Sequence, residues 1–148
     1  MFDIIRCEAE PSSFGFEKFY SHNDVSINRV KDLKEATNYK NKKTLILVDD
    51  YNFDEGSVKL IAEKKKACFL INLHDLKKCK GTSRAILISK LRTFLKLCVK
   101  YGALYTFATF AENKIQIRKP SEIMHIAMIL GVNEGQSKFA LKMLQHYV

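Results

Sequence analysis

Short apolar runs alternate with amphipathic stretches along the whole chain. Residues 2–7 read as a strand, and residues 25–30 alternate apolar and polar side chains as a half-buried strand does. Residues 44–48 and 67–73 are continuous apolar runs. Such runs mark strands covered on both faces, as in a parallel sheet. They lead into the polar pairs Asp49-Asp50 and His74-Asp75. Residues 104–110 predict a further strand, which makes about five.

Helical spacing falls between these runs. Residues 12–21 predict a short helix that Ser12 or Ser13 can cap, and residues 32–40 another with Leu33 and Ala36 inward. Residues 54–66 predict a helix capped by Asp54, with Val58, Ile61 and Ala62 inward. The longest stretch is 82–101, where Ile86, Leu87, Leu91, Phe94, Leu95 and Cys98 recur at i, i+3, i+4 spacing. Gly102 suits the position just past its end. Pro120 is placed to start a helix that Gly131 ends, and Asn133 can cap a last one over residues 134–145.

A repeating βα order implies a mostly parallel α/β sheet with crossover helices. A complete eight-unit barrel takes about 200 residues or more. The 148 residues of this chain therefore predict a single domain over residues 1–148, either a reduced or incomplete (β/α) barrel or a small open sheet.

Composition adds a partner class. Lys and Arg number 25 against 16 Asp and Glu, giving a net charge of +9. A polyanion attracts such a surface, and released counterions add affinity. No stretch approaches the roughly 18 uninterrupted apolar residues of a membrane span. The opening residues lack the basic and apolar regions of a signal peptide, which predicts a cytoplasmic protein. Cys7, Cys68, Cys79 and Cys98 form no C-x-x-C pair and read as reduced thiols.

Candidate chemistry gathers at the C-terminal ends of parallel strands. Asp49, Asp50, His74 and Asp75 have the donor types of a hard divalent metal site. Asp is also the ordinary residue for leaving a strand, and the turn reading outweighs the metal reading. The histidines, His22, His74, His125 and His146, make no H-x-H or H-E-x-x-H motif, and no P-loop, G-x-G-x-x-G or G-x-S-x-G stands in the chain. Weight thus moves from enzyme to binding module.

Basic residues fall in patches: Lys64 to Lys66 at a helix end; Lys77, Lys78 and Lys80 in a loop near Arg84; Lys114, Arg118 and Lys119 before the Pro120 helix. Lysines at helix C-termini answer the macrodipole. Arg84 and Arg118 lie near helix starts, where a cation opposes that dipole, and the guanidinium fork suits phosphate. Arg118 is the stronger phosphate candidate. Tyr51 and Phe53, just past a strand, either stack on a base or pack over the sheet rim, with packing favoured.

Several stretches carry a family resemblance: Ser83-Arg84-Ala85-Ile86-Leu87, Lys100-Tyr101-Gly102, Tyr105 to Ala111, Arg118-Lys119-Pro120-Ser121-Glu122-Ile123, and Gly131-Val132-Asn133-Glu134-Gly135-Gln136-Ser137-Lys138. Over residues 67–142 this order resembles archaeal ribonuclease P protein component 3. That family has an R-A-x-L helix start, an R-x-P-x-D/E turn and a G-hydrophobic-x-x-x-Q-A/S-K close. The N-terminal half is shorter than in the family, and Phe110 stands where the family tends to have a small residue.

The resemblance implies a reduced or incomplete TIM-like barrel of the PHP type, without that type's metal-binding histidines. It implies a non-catalytic protein subunit of ribonuclease P that supports the catalytic RNA in removing the 5′ leader of precursor tRNA. It needs no cofactor of its own, since magnesium belongs to the RNA. The implied partners are ribonuclease P RNA, protein component 2 and, indirectly, precursor tRNA. By position in the motifs, Arg84, Lys100, Arg118, Lys119, Glu122 and Lys138 are the expected RNA-binding or complex-forming residues. Two other readings stay open: a metal-dependent PHP-type phosphoesterase using Asp49, Asp50, His74 and Asp75, and a scaffold whose lysines are only solvated.

Overall fold

Six strands form, and every pairing between them is parallel. The computed structural model describes residues 1–148. The strands are β1 (Phe2–Ile5), β2 (Lys18–Ser21), β3 (Ile27–Asp32), β4 (Leu45–Asp50), β5 (Cys68–Asn72) and β6 (Leu104–Ala108). One sheet runs β3-β4-β5-β6 and the other is the pair β1-β2. Beyond the end of β6 the two sheets meet. The Phe110 amide donates to the Ile4 carbonyl (2.9 Å) and the Arg6 amide to the Ala111 carbonyl (2.8 Å), around an Ile5–Ala111 bridge. Strands adjacent in sequence are thus adjacent in space, apart from β2 and β3, which are not paired.

Alternation along the strands explains the continuous apolar runs. In β4 and β5, Ile46, Val48, Phe69 and Ile71 point into one core, and Leu45, Cys68 and Leu70 into a second. Both faces are covered, so both residue parities must be apolar. The first core lies under α1 (Leu33–Ala36), α2 (Glu55–Lys64), α4 (Thr82–Tyr101) and α5 (Pro120–Ile129). The second is closed by the chain's own last turns, which bring Met143, Leu144 and Tyr147 against Phe2, Ile4 and Phe110. The Tyr147 hydroxyl donates to the Lys66 carbonyl, just before β5, at 2.8 Å.

Local signals set most helix ends. Asp32 accepts from the Glu35 amide at the start of α1, and Asp54 from the Ser57 amide at the start of α2. α4 has the predicted bounds, and Gly102 ends it at φ +72°. Asn133 and Gln136 form a reciprocal capping box at the start of α6 (Glu134–Met143). Leu33, Ala36, Val58, Ile61 and Ala62 are buried as expected.

Two expectations need correction. Residues 12–21 do not form a helix. Pro11–Phe14 makes a single 3-10 turn that Gly15 ends at φ +83°, and Lys18–Ser21 becomes β2. The free edge of β1 recruits this short segment, and pairing overrides local preference. Residues 73–78 are not a strand exit followed by a basic loop. They form α3 (Leu73–Lys78), capped by Asn72, whose Oδ1 accepts from the His74 amide at 2.9 Å. Lys77 and Lys78 therefore sit on a helix. No helix is long and apolar enough to cross a membrane.

Candidate nucleic-acid interface

The ends of β5 and β6 carry the chain into α3 and toward α5, and a cavity of about 300 Å³ opens between α3, α4 and α5. Its apolar wall includes Leu73, Ile88 and Ile126, and its polar wall His74, Lys77, Arg84, Thr109, Gln116 and Arg118. Three of those side chains are permanent or near-permanent cations. The one carboxylate paired with them is Glu122, whose Oε2 lies 3.8 Å from Nη1 of Arg118.

Lys77 is half-buried in that wall. Its Nζ donates to the Gln116 carbonyl at 3.3 Å. Burial lowers its pKa first, and the Arg118 charge lowers it further, with Glu122 offsetting part of the effect. The two cations line one cavity, and a bound anion there would favour the charged form of Lys77.

Arg84 has a structural task that its position at a helix start did not reveal. Its Nε donates to the carbonyls of Leu76 (3.1 Å) and Cys79 (2.8 Å), and Nη2 reaches the Lys77 carbonyl at 3.5 Å. These are the free carbonyls at the end of α3, where a cation also answers the helix dipole. The dipole objection thus fails: Arg84 opens α4 but serves the end of α3.

The six residues expected from the sequence separate in space. Arg84 and Arg118 line the cavity, Glu122 pairs with Arg118, and Lys119 is the exposed N-cap residue of α5. Lys100 lies in the last turn of α4, about 24 Å along the helix from Arg84 at the usual rise per residue. There Lys100 pairs with Glu55 at 2.9 Å, and the Tyr101 hydroxyl bonds the same carboxylate oxygen. Lys138 lies on α6 and pairs with Glu134 at 3.0 Å.

Lys77 and His74 join the cluster without having been singled out for it. The signal for Lys77 was its nearness in sequence to Arg84; what hid it was reading residues 77–80 as a loop.

The metal candidates are dispersed among other partners. Asp49 holds Nε of Arg29 at 2.7 Å, and Asp50 holds Nζ of Lys90 at 3.0 Å and the Asn52 amide at 2.7 Å. No three His, Cys, Asp or Glu side chains stand together as a ligand set. Tyr51 is buried, with its ring 4.8 Å from that of Phe94, whereas Phe53 is exposed. All four cysteines are free thiols.

No family model and no curated protein matches the chain. Among solved structures, it is similar to a chain of a cryo-EM structure of archaeal Ribonuclease P with mature tRNA. The TM-score is 0.70 at 18% identity, over 93% of this chain and 85% of that one. Two chains this different in sequence share a fold over nearly their whole lengths.

Proposed function

We propose that this chain is a protein subunit of ribonuclease P, the component 3 type, which binds the catalytic RNA and supports removal of the 5′ leader from precursor tRNA. The observation that carries this reading is the fold shared with a chain of archaeal Ribonuclease P over 93% of this protein. The motif resemblance over residues 67–142 and the net charge of +9 support it independently.

In this reading the domain spans residues 1–148 and is an incomplete PHP-type barrel, open between β2 and β3. The protein is cytoplasmic, and protein component 2 is its partner. The chain is not itself the nuclease; the RNA and its magnesium perform the chemistry. The protein's part is electrostatic. Lys77 and Arg118 hold a backbone phosphate at the cavity, with Arg118 offering two parallel N–H donors once Glu122 is displaced. Arg84 and Lys119 extend this positive rim. Lys100 and Lys138, each paired with a glutamate away from the cavity, are assigned to complex-forming contacts.

Reconstitution tests it. Precursor-tRNA cleavage is measured at limiting magnesium with the cognate ribonuclease P RNA and component 2, with and without this protein, and with Arg118→Ala. The expected result is activity that requires the protein and drops with the variant. Cleavage that is the same with and without the protein would overturn the subunit reading.

A further inference from the structure

We infer that the groove between α4 and the α5–α6 junction docks a helical segment of a protein partner, aliphatic on one face and acidic along one flank. This goes beyond the RNA-binding reading and does not depend on it. The groove has a volume of about 850 Å³. Along α4 it runs from Ala85 to Val99, which is about 21 Å or four turns of helix at the usual rise. Its floor is aliphatic, built from Ala85, Ile88, Val99 and Leu130. Of these, Val99 is 45% exposed. Apolar side chains gathered along such a groove mark an interaction surface.

The charge of the groove selects the partner. α4 has no acidic residue in its 20 positions. Its other cations are engaged elsewhere: Lys90 pairs with Asp50, Lys100 with Glu55, and Arg84 caps α3. Arg92 and Lys96 line the groove one turn apart and make no ion pair. Carboxylates at i and i+4 on an incoming helix match that spacing.

No aromatic ring lines the groove to stack a base, and its aliphatic side chains have no contact to offer a phosphate backbone. A second copy of this chain would bring the same two cations against themselves. An acid-flanked aliphatic helix satisfies both the floor and the rim.

The test places a photo-crosslinking amino acid at Ser89, a groove residue, in the full-length protein in its native cells. The same substitution at Leu60, exposed on α2, serves as the control. Adducts are sequenced. The expected adduct is one protein segment with aliphatic residues at i, i+3, i+4 and Asp or Glu beside them. Its yield should fall by about tenfold when Arg92 and Lys96 are both changed to Glu. The melting temperature of that double variant is measured alongside, and Arg92→Gln with Lys96→Gln, which keeps the stems, should give an intermediate loss. An adduct to RNA, to another copy of this chain, or no adduct above the Leu60 level overturns the proposal. So does a protein adduct that survives charge reversal in a variant that melts normally. An RNA adduct would do so while leaving the ribonuclease P reading intact.

Discussion

Asp3 and Thr109, 106 positions apart in the chain, are joined twice where the two sheets meet: the Thr109 amide donates to Oδ1 at 2.9 Å and its hydroxyl to Oδ2 at 2.5 Å. The Ile4 amide adds a third donor at 2.8 Å. This contact holds the first strand of the protein against the last, beside the hydrogen bonds of the Ile5–Ala111 bridge. Asp3 is fully buried and has no cation among its partners.

Burial pushes the Asp3 carboxyl up to about 7, against three hydrogen bonds that favour the anion. Its folded pKa therefore lies above the value of 3.8 expected when unfolded. Between those two values the folded state binds the extra proton, so stability falls as pH rises through that window. The contribution is complete below pH of about 4 and lost above about 7. Asp3→Asn keeps an acceptor for the Thr109 amide and cannot ionise. Thermal melts from pH 4 to pH 8 should show the wild type losing stability relative to Asp3→Asn as pH rises. A gap between the two that stays constant across the range would show that burial does not govern this carboxyl.

If Lys77 and Arg118 share a phosphate, removing either should change how RNA affinity responds to salt. Each phosphate contact contributes about 0.9 to the slope of log affinity against log salt on duplex nucleic acid and about 0.7 on single strands. Lys77→Ala and Arg118→Ala should each reduce the slope by roughly one such contact, and the double variant by no more than about one. Lys138→Ala, on α6 and already paired with Glu134, should leave it unchanged. Binding isotherms at four or five salt concentrations decide the matter, and equal slopes for Arg118→Ala and wild type would remove Arg118 from the interface.

Arg84 carries a structural load as well as charge. Arg84→Ala leaves the Leu76 and Cys79 carbonyls at the end of α3 to water, and the side chain is exposed, so the expected loss is about 1 kcal/mol. Amide exchange should quicken in residues 73–79 before any change in α2. Arg84→Lys should restore part of that protection. If exchange in α3 is unchanged by Arg84→Ala, the cap contributes nothing and the residue is free for RNA alone.

The chain's last turns close the second core. Leu144 is fully buried there, and Leu144→Ala should cost about 2–5 kcal/mol in denaturant unfolding. Tyr147→Phe removes only the bond to the Lys66 carbonyl and should cost about 1 kcal/mol. A loss near zero for Leu144→Ala would mean that the tail frays without unfolding the sheet.

Much of this was legible in the sequence because it depends on local chemistry. Thr82–Tyr101 is a helix because Leu87, Leu91, Phe94, Leu95 and Cys98 recur on one face and Gly102 stops it. Asp54, Asn133 and Pro120 mark helix starts through bonds or dihedrals within four residues. Residues 45–48 and 68–71 are apolar in both parities because both faces of the sheet are buried. Arg118, chosen from a motif and a dipole argument, does line the cationic cavity.

Other features depend on groups far apart in the chain. Lys18–Ser21 is a strand because β1 has an edge to share, which four residues cannot announce alone. Arg84 caps α3, a six-residue helix whose basic end the sequence pattern predicts as a loop. Lys77 and Arg118, 41 positions apart, line one cavity. Whether a lysine pairs with a carboxylate or faces an empty groove separates Lys100 from Lys96, four residues apart on one helix. The sequence by itself determined the longer elements and their order, the apolar faces and the positive charge, since each follows from spacing and side-chain chemistry within a few residues; β2 and α3 it did not. Only the tertiary structure decided which cations are already neutralised and which remain for a partner, because long-range packing sets the distance between charges.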